Sequence, residues 1–244
     1  MEKQSFRELK RLAREFLDGR YLTPILAMAA AYLLPTALLA PFSTSAVTSW
    51  NVQLVSYLVA AGIISLLAKL LNAGIIRIHL RMAKKQPVSF KDLFWAFQNK
   101  PDRFLLCALI MAAIFLIPTL PACIFLYQLA WKKTAAAYLS IGATAILLSI
   151  ALLYLAFSFR MAFPLYIENE EMGVWEGIRL SIRYMRGNKL RCFLLQLSFI
   201  GWQLLGISSL GVGMLWVLPY MSQTQANFYL DLMQKLTSET GSSV

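Results

Sequence analysis

Long apolar runs are the feature that most constrains this chain. Several stretches of about 20 residues carry almost no charge, and a helix of that length can cross a bilayer because it satisfies its backbone hydrogen bonds internally. Hydrophobic residues make up 59% of the 244 residues and charged residues 14%, whereas a soluble domain is about half apolar and a quarter charged. The sequence therefore predicts an all-α fold, a polytopic transmembrane helical bundle.

Basic residues are concentrated between the apolar runs. Of the 23 Lys and Arg residues, 19 fall in three blocks, at 1–21, 77–103 and 160–191. This distribution is typical of the cytoplasmic side of a multi-pass membrane protein, where cations also attract anionic lipid headgroups. We therefore expect both termini in the cytoplasm. The phospholipid bilayer is the expected partner, an unknown protein partner stays open, and nucleic acid is not expected, despite a net charge of +11.

A repeated unit organises the chain. Each unit is predicted to be an amphipathic helix on the membrane surface followed by a helical hairpin into the membrane, with similar starts at 5–9, 89–93 and 174–178. The units are 1–76, 77–159 and 160–236, and 237–244 is a flexible tail. Six spans follow, at 22–42, 52–76, 104–129, 134–159, 192–206 and 212–230. A single long last span with an external tail, giving five spans, stays open. Outer loops are expected at 43–51 and 131–133.

Local signals mark the ends of the surface helices. Ser5 and Ser89 are each followed three residues later by an acidic residue, which is a capping-box pattern. Gly19 and Gly187 are expected to end the first and third of these helices. Basic residues off the apolar faces predict contacts with lipid headgroups by Lys10, Arg11, Arg14, Arg179, Arg183 and Arg186.

Few residues are candidates for catalysis or metal binding. His79 is the only histidine, and with no Cys or carboxylate cluster near it, it is a poor metal ligand. Lys69 is the only cation well inside a span, and we expect it to reach the headgroups rather than to line a substrate path. The cysteines have no metal-ligand spacing. No catalytic, cofactor-binding or metal-binding residue is predicted, and an enzyme is not expected.

Polar amides and helix breakers leave a transporter open as an alternative. Gln196, Gln203, Gln223, Gln225 and Asn227 lie in or near the last two spans, where they can bond between helices or line a shallow polar pocket. Prolines at 35, 118, 121 and 219 lie inside predicted spans and can kink them. Glycines from 201 to 213 predict a tight turn, or a broken helix beside a cavity.

Several sequence elements in order resemble one family. They include Gly187-Asn188-Lys189, the segment 197–202, Gly211-Val212-Gly213, Pro219-Tyr220 and 226–229, and the first surface helix ending at 18–21 is also similar. On these residues the chain is identified as a member of the domain-of-unknown-function family 975, over nearly its full length. The resemblance implies a bacterial multi-pass membrane protein, hence the plasma membrane, and it brings no activity or site residues.

The resulting functional hypothesis is a non-enzymatic integral membrane protein, a lipid-binding scaffold or accessory membrane subunit. A small transporter or exporter component is the first alternative, and a central polar cavity would favour it. A membrane enzyme acting on lipid headgroups is the second alternative, and it would require one cleft that joins groups such as His79, Glu168 and Asp231.

Overall fold

Helices form the secondary structure of the computed structural model, which describes residues 4–43, 50–131 and 134–241. No strand occurs in these residues. In chain order the elements are α1 (Phe6–Leu17), α2 (Leu22–Ser43), α3 (Trp50–Ala83), a 3₁₀ helix (Phe90–Phe94), α4 (Trp95–Gln98), α5 (Pro101–Ala130), α6 (Ala135–Phe159), α7 (Ala162–Glu168), α8 (Val174–Met185), α9 (Lys189–Leu197), α10 (Ile200–Ser208) and α11 (Met214–Gly241). Most of both expected outer loops lies outside the described residues.

The elements follow the repeated order that the sequence predicts. A short amphipathic segment precedes a pair of longer helical segments three times: α1 before α2 and α3, the 3₁₀ helix with α4 before α5 and α6, and α8 before α9–α10 and α11. The paired segments pack on each other in each case. Positive φ angles at Leu210 and Gly211 reverse the chain between α10 and α11. The final glycine-rich region is therefore a hairpin and not one continuous helix.

Five segments are long and apolar enough to cross a membrane. They are Leu22–Ser43, Val52–Ala83, Pro101–Leu129, Ala135–Glu168 and Lys189–Ser208. The sixth predicted span, 212–230, lies in α11, which is long enough but is not among these five segments because polar residues interrupt it. By length and hydropathy the described residues thus contain five candidate spans, and the sixth predicted segment is present as a helix that pairs with α10. In addition, α11 extends to Gly241, through most of the stretch expected as a flexible tail.

The second span is longer than predicted. We expected it to end at 76, but α3 continues to Ala83, so that the boundary between the first two units falls inside a helix. The charges from Arg77 onward do not interrupt a helix, and buried residues such as Ile78 and Leu80 alternate with them. The helix ends only where Lys85 takes a left-handed conformation, at φ 57°.

The capping predictions are confirmed. The Ser5 hydroxyl accepts a hydrogen bond from the Glu8 backbone N–H at 3.2 Å. At the second start both bonds of the capping box form: the Ser89 hydroxyl accepts from the backbone and the Asp92 carboxylate accepts from the Ser89 N–H at 2.9 Å. Gly19 and Gly187 have φ of 67° and 77°, the left-handed conformation that glycine adopts without strain.

The apolar face of α1 and part of that of α8 pack on the protein, whereas Trp175 and Ile182 of α8 are exposed. In α1, Leu9, Ala13 and Leu17 are fully buried, and this helix contacts α11. In α8, Ile178 and Met185 are buried, and the helix contacts α5, α6 and α7. The amphipathic pattern was read correctly, but the partner of these buried side chains is the rest of the chain and not lipid.

The second short helix differs from its prediction. It is a 3₁₀ helix that continues into the four residues of α4. Among its large apolar residues, Leu93 is fully buried, whereas Phe90, Phe94 and Phe97 are exposed. The apolar residues of this segment are therefore divided between the protein core and the surface.

The buried core lies toward the basic end of the bundle. Core residues cluster in the second half of α3, the start of α5, the end of α6, and in α1, α7 and α8. The apolar windows of the α5 and α6 spans are 0% buried in the protein. A long apolar surface of this kind suits a lipid environment, where such side chains need no protein cover. The five apolar helices thus indicate a membrane protein.

Candidate functional site

A polar cavity lies in the bundle between α2, α3, α5, α6, α7 and α11. Its volume is about 430 Å³, within the range of small-molecule sites. Much of its wall is apolar, and the lining side chains that carry polar groups are those of Tyr32, Lys69, Asn72, His79, Arg160, Ser222, Gln225 and Tyr229. A larger recess of about 590 Å³ between α2 and α3 is lined by apolar residues and Ser56. It offers no charged group, and we therefore take the polar cavity as the candidate site.

One face of α3 lines the cavity along its length. Lys69, Asn72, Ile76 and His79 follow one another at spacings of three, four and three residues, which places them on one side of a helix. From Lys69 to His79 this face rises about 15 Å. Lys69 lies in a helix that ends at Ala83, about 21 Å further along the axis.

Lys69 is an exposed residue of α3, and its contact with lipid headgroups stays a prediction. It has no ion-pair or hydrogen-bond partner in the described part of the chain, and it lines the cavity. A cation that lines a cavity beside apolar helices is the arrangement found on ligand paths in membrane proteins.

Arg160 brings a second cation to the cavity. It follows the last residue of α6 and precedes α7, where the chain turns between the two helices. A Gln196 amide turned with its oxygen toward Arg160 accepts from Nη1 at 2.8 Å and also from Nη2. This contact to α9 occupies only part of the guanidinium, which has five N–H donors.

A face of α11 closes the cavity. Ser222, Gln225 and Tyr229 follow at spacings of three and four residues, and all line it. The side chains of Ser222 and Gln225, like that of Asn72, form no hydrogen bond within the described residues. The Tyr229 hydroxyl donates to Glu168 Oε2 at 3.0 Å, and Glu168 is also paired with Lys84 at 2.5 Å. The cavity thus contains both anchored and uncommitted polar groups.

His79 is held from behind by a chain of hydrogen bonds. The Asn227 amide donates to the Leu9 backbone oxygen at 3.2 Å, and Gln223 Nε2 donates to the His79 backbone oxygen at 3.1 Å and to Asn227 Oδ1 at 3.4 Å. Both acceptors fix the orientation of the Gln223 amide. Its Oε1 then lies 2.9 Å from His79 Nδ1, so Nδ1 carries the proton that this contact needs.

The other ring nitrogen of His79 is left without a partner. The residue is only 1% exposed and it lines the cavity. With the proton on Nδ1, Nε2 of a neutral ring is a hydrogen-bond acceptor, and it has no donor within the described part of the protein. Burying an unpaired acceptor costs about 1–3 kcal/mol. A ligand that supplies a donor would recover this energy.

The charges in the cavity favour an anion. Lys69 and Arg160 are cationic, and none of the described lining residues is Asp or Glu. In a partly desolvated site, hydrogen bonds between such cations and a phosphate or carboxylate are stronger than neutral ones. With apolar walls beside these cations, the cavity can hold an amphiphilic anion.

The groups that a lipid-headgroup enzyme would need do not share this cavity. His79 lines it, but Asp231 does not. Asp231 instead forms an ion pair with Arg191, in which Nη1 lies 2.7 Å from Oδ2. Glu168 reaches the site only through Tyr229. Among the residues that the structure describes, no group of three His, Cys, Asp or Glu side chains could hold a metal ion.

The six residues predicted to contact headgroups lie outside the cavity. Arg14, Arg179, Arg183 and Arg186 are exposed. Lys10 donates to the Ser198 backbone oxygen at 3.0 Å and lies 4.2 Å from the centre of the Phe199 ring. Arg11 is paired with Glu8 at 2.7 Å and with Glu15 at 3.4 Å. Their role at the lipid surface stays a prediction.

Sequence reasoning found part of the site. The amides of the last spans were expected to bond between helices or line a pocket, and Gln225 lines the cavity while Gln223 and Asn227 bond behind it. Asn72 and Arg160 were missed. The spacing of Asn72 and His79 from Lys69 was a usable signal, because all three lie on one helical face.

Comparison with known proteins identifies a family but no function. The family model described as "Protein of unknown function (DUF975)" matches residues 1–236. No match was found among curated proteins or among solved structures.

Proposed function

The chain belongs to the DUF975 family of unknown function, and we propose that it is a non-enzymatic membrane protein that binds the anionic headgroup of a lipid in its polar cavity. The observation that carries this proposal is that Lys69 and Arg160 both line a cavity with no acidic residue among its described lining residues. Such a protein would serve as a lipid-binding scaffold or accessory subunit. The three basic blocks support a place in the bacterial plasma membrane, with both termini in the cytoplasm.

The walls favour a lipid over a small soluble anion. Apolar side chains such as Met28, Ile76, Met111, Phe163 and Met221 share the lining with the cations. They suit the glycerol backbone and the first carbons of acyl chains. The anionic group then lies beside the cations and the chains extend along the apolar helices.

Binding to the purified full-length protein in detergent tests the proposal. Native mass spectrometry can compare phosphatidylglycerol with zwitterionic phosphatidylcholine of the same acyl chains. We expect tighter binding of phosphatidylglycerol, and a loss of about 10-fold in its affinity for Lys69→Gln or Arg160→Gln, because each removes a charge-assisted hydrogen bond of at least about 1.5 kcal/mol.

The matched control is Arg179→Gln on the exposed face of α8. This change removes one positive charge outside the cavity, and a surface cation contributes about 1 kcal/mol near an anionic membrane. We expect it to change affinity less than fivefold. If Arg179→Gln weakens binding as much as the cavity variants, the lipid is held by the surface helices or by net charge, and the cavity is not the site.

A transporter or exporter component is the second candidate, favoured by the position of Lys69 on the cavity wall within the apolar helix α3. Deep cations beside cavities occur on transport paths, and Pro35, Pro118, Pro121 and Pro219 lie inside helices α2, α5 and α11. Reconstituted liposomes with fluorescent phosphatidylglycerol distinguish the two roles. Movement of the probe between leaflets that Lys69→Gln slows would favour transport, and bound lipid that stays in its leaflet would favour the scaffold.

A further inference from the structure

His79 is the part of the cavity that charge alone does not explain. It adds no acidic or permanent basic group, yet it is the most deeply buried of the polar lining residues, at 1% exposed. Its Nδ1 is used by Gln223 at 2.9 Å. Its Nε2 has no partner within the described chain. The question is therefore what kind of ligand atom this nitrogen suits.

The hydrogen-bond direction at His79 is set by two groups that can only accept. The Leu9 backbone oxygen accepts a hydrogen bond from the Asn227 amide, and the His79 backbone oxygen accepts one from the Gln223 amide. Neither backbone oxygen can reverse its role. The Gln223 oxygen is therefore left for His79 Nδ1, which must donate to it. In the neutral ring the only free lone pair is then on Nε2.

A bare anion does not satisfy this nitrogen. The oxygens of an ionised phosphodiester or carboxylate accept hydrogen bonds, as Nε2 of the neutral ring does, so the two would face each other without a proton between them. A ligand satisfies the whole cavity only if it combines an anionic group for Lys69 and Arg160 with a hydroxyl for Nε2. The three-turn face of α3, about 15 Å long, gives room for both groups in one elongated headgroup.

We infer that His79 Nε2 accepts a hydrogen bond from a hydroxyl of the bound anion, so that the cavity selects hydroxylated anionic headgroups over equally charged ones without a hydroxyl. This inference rests on the proposed function, because it requires that an anion binds in the cavity. The chemistry is that of a polyol phosphodiester. Its source is a membrane lipid or a soluble polyol phosphate.

Two lipids of equal charge test the selectivity. Phosphatidylglycerol and phosphatidylethanol of the same acyl chains are both phosphodiesters with one negative charge, and only the first has free hydroxyls. At pH 8, well above the ordinary imidazole value of about 6.5, we expect the full-length protein to bind phosphatidylglycerol about 3- to 10-fold more tightly, the contribution of one hydrogen bond. Equal affinities would overturn the inference and leave the proposed function standing. Failure of both lipids to bind would overturn both.

Variants assign the preference to His79. His79→Phe keeps an aromatic ring without an acceptor, and we expect it to bind the two lipids equally. Gln223→Leu keeps the imidazole but removes the oxygen that holds the ring proton on Nδ1. We expect this variant to fold and to show a smaller preference for phosphatidylglycerol over phosphatidylethanol. The control is Thr224→Val. Thr224 is buried and follows Gln223 in the sequence, but its hydroxyl donates to the Tyr220 backbone oxygen at 2.8 Å and not to His79. A preference that survives both test variants, or one that Thr224→Val also removes, would refute the role of His79.

Competition distinguishes the two sources of the ligand. Soluble glycerol phosphate carries the same anionic and hydroxyl groups without acyl chains. If the cavity takes a lipid, glycerol phosphate at millimolar concentration should displace little phosphatidylglycerol. Efficient displacement that depends on His79 would assign the same chemistry to a soluble ligand, and displacement that does not depend on His79 would count against the inference.

Discussion

The close contact between α3 and the 3₁₀ helix predicts that adding one methyl group at Gly74 strongly lowers the stability of the protein. Gly74 in α3 is buried, and a Cβ atom built on it would lie 2.5 Å from the Leu93 backbone carbon and 2.7 Å from its Cα, and closer still to its backbone oxygen. These are backbone atoms, so no side-chain rotation can relieve the overlap. The 3₁₀ helix would have to move away from α3, together with Leu93, which is fully buried there.

The expected magnitude of Gly74→Ala follows from two opposing terms. Forcing a methyl group into a packed site costs about 1–3 kcal/mol, here near the upper end because the overlap is with backbone. Replacing glycine by alanine inside a helix returns up to about 1 kcal/mol. The net loss is about 2 kcal/mol, which in a protein of this length lowers the melting temperature by about 4–8 °C.

Gly62→Ala is the matched control, because Gly62 lies in the same helix and a Cβ built there meets no atom within 4 Å. We expect this change to raise the melting temperature slightly or leave it unaltered. Unfolding can be followed with a thiol-reactive fluorogenic dye in a Cys123→Ser background, since Cys123 is exposed and Cys107 and Cys192 are buried. A Gly74→Ala protein as stable as the Gly62→Ala protein would refute the packing argument.

Two further substitutions test buried polar contacts by the same melting assay. Asp231→Asn should cost about 3–5 kcal/mol, because it leaves the charge of Arg191 buried without its partner, and adding Arg191→Gln should recover part of the loss; a single variant of unchanged stability would contradict this. Ser181→Ala should cost about 1–3 kcal/mol, since the buried Ser181 hydroxyl accepts from the Met161 N–H at 3.1 Å and donates to the Ser158 oxygen at 2.8 Å. Ser140→Ala, which removes an exposed hydroxyl, should change stability by less than about 0.5 kcal/mol, and equal losses in the two serine variants would argue against the Ser181 contacts.

Helix starts and breaks could be predicted from sequence because they depend on neighbours in the chain. The capping box of Ser89 and Asp92 is complete within four residues. Gly187 needs only its own freedom to adopt a positive φ. The end of α3 was harder to predict. Charges at Arg77 and Arg81 suggested a boundary, but these residues are held in the helix because both pair with Asp92 across to the 3₁₀ helix, at 3.5 and 2.8 Å.

The partner of an apolar face cannot be predicted from its periodicity. The pattern of Leu9, Ala13 and Leu17 shows that one face of α1 avoids water, and lipid and protein satisfy that requirement equally well. The structure places this face against α11. The same ambiguity affected Lys69, whose surroundings depend on how far α3 extends and on which helices meet it.

By itself, the sequence determined that the chain is helical, apolar enough for a membrane, and built on a repeated order of short and long helices. Composition and local spacing suffice for this, because hydropathy and capping act along a single segment. Only the tertiary structure decided that Lys69, His79 and Arg160 share one cavity. His79 and its partner Gln223 are 144 residues apart, and Leu9 and Asn227 are 218 apart. Contacts at such separations arise from the packing of whole helices, and no local pattern encodes them.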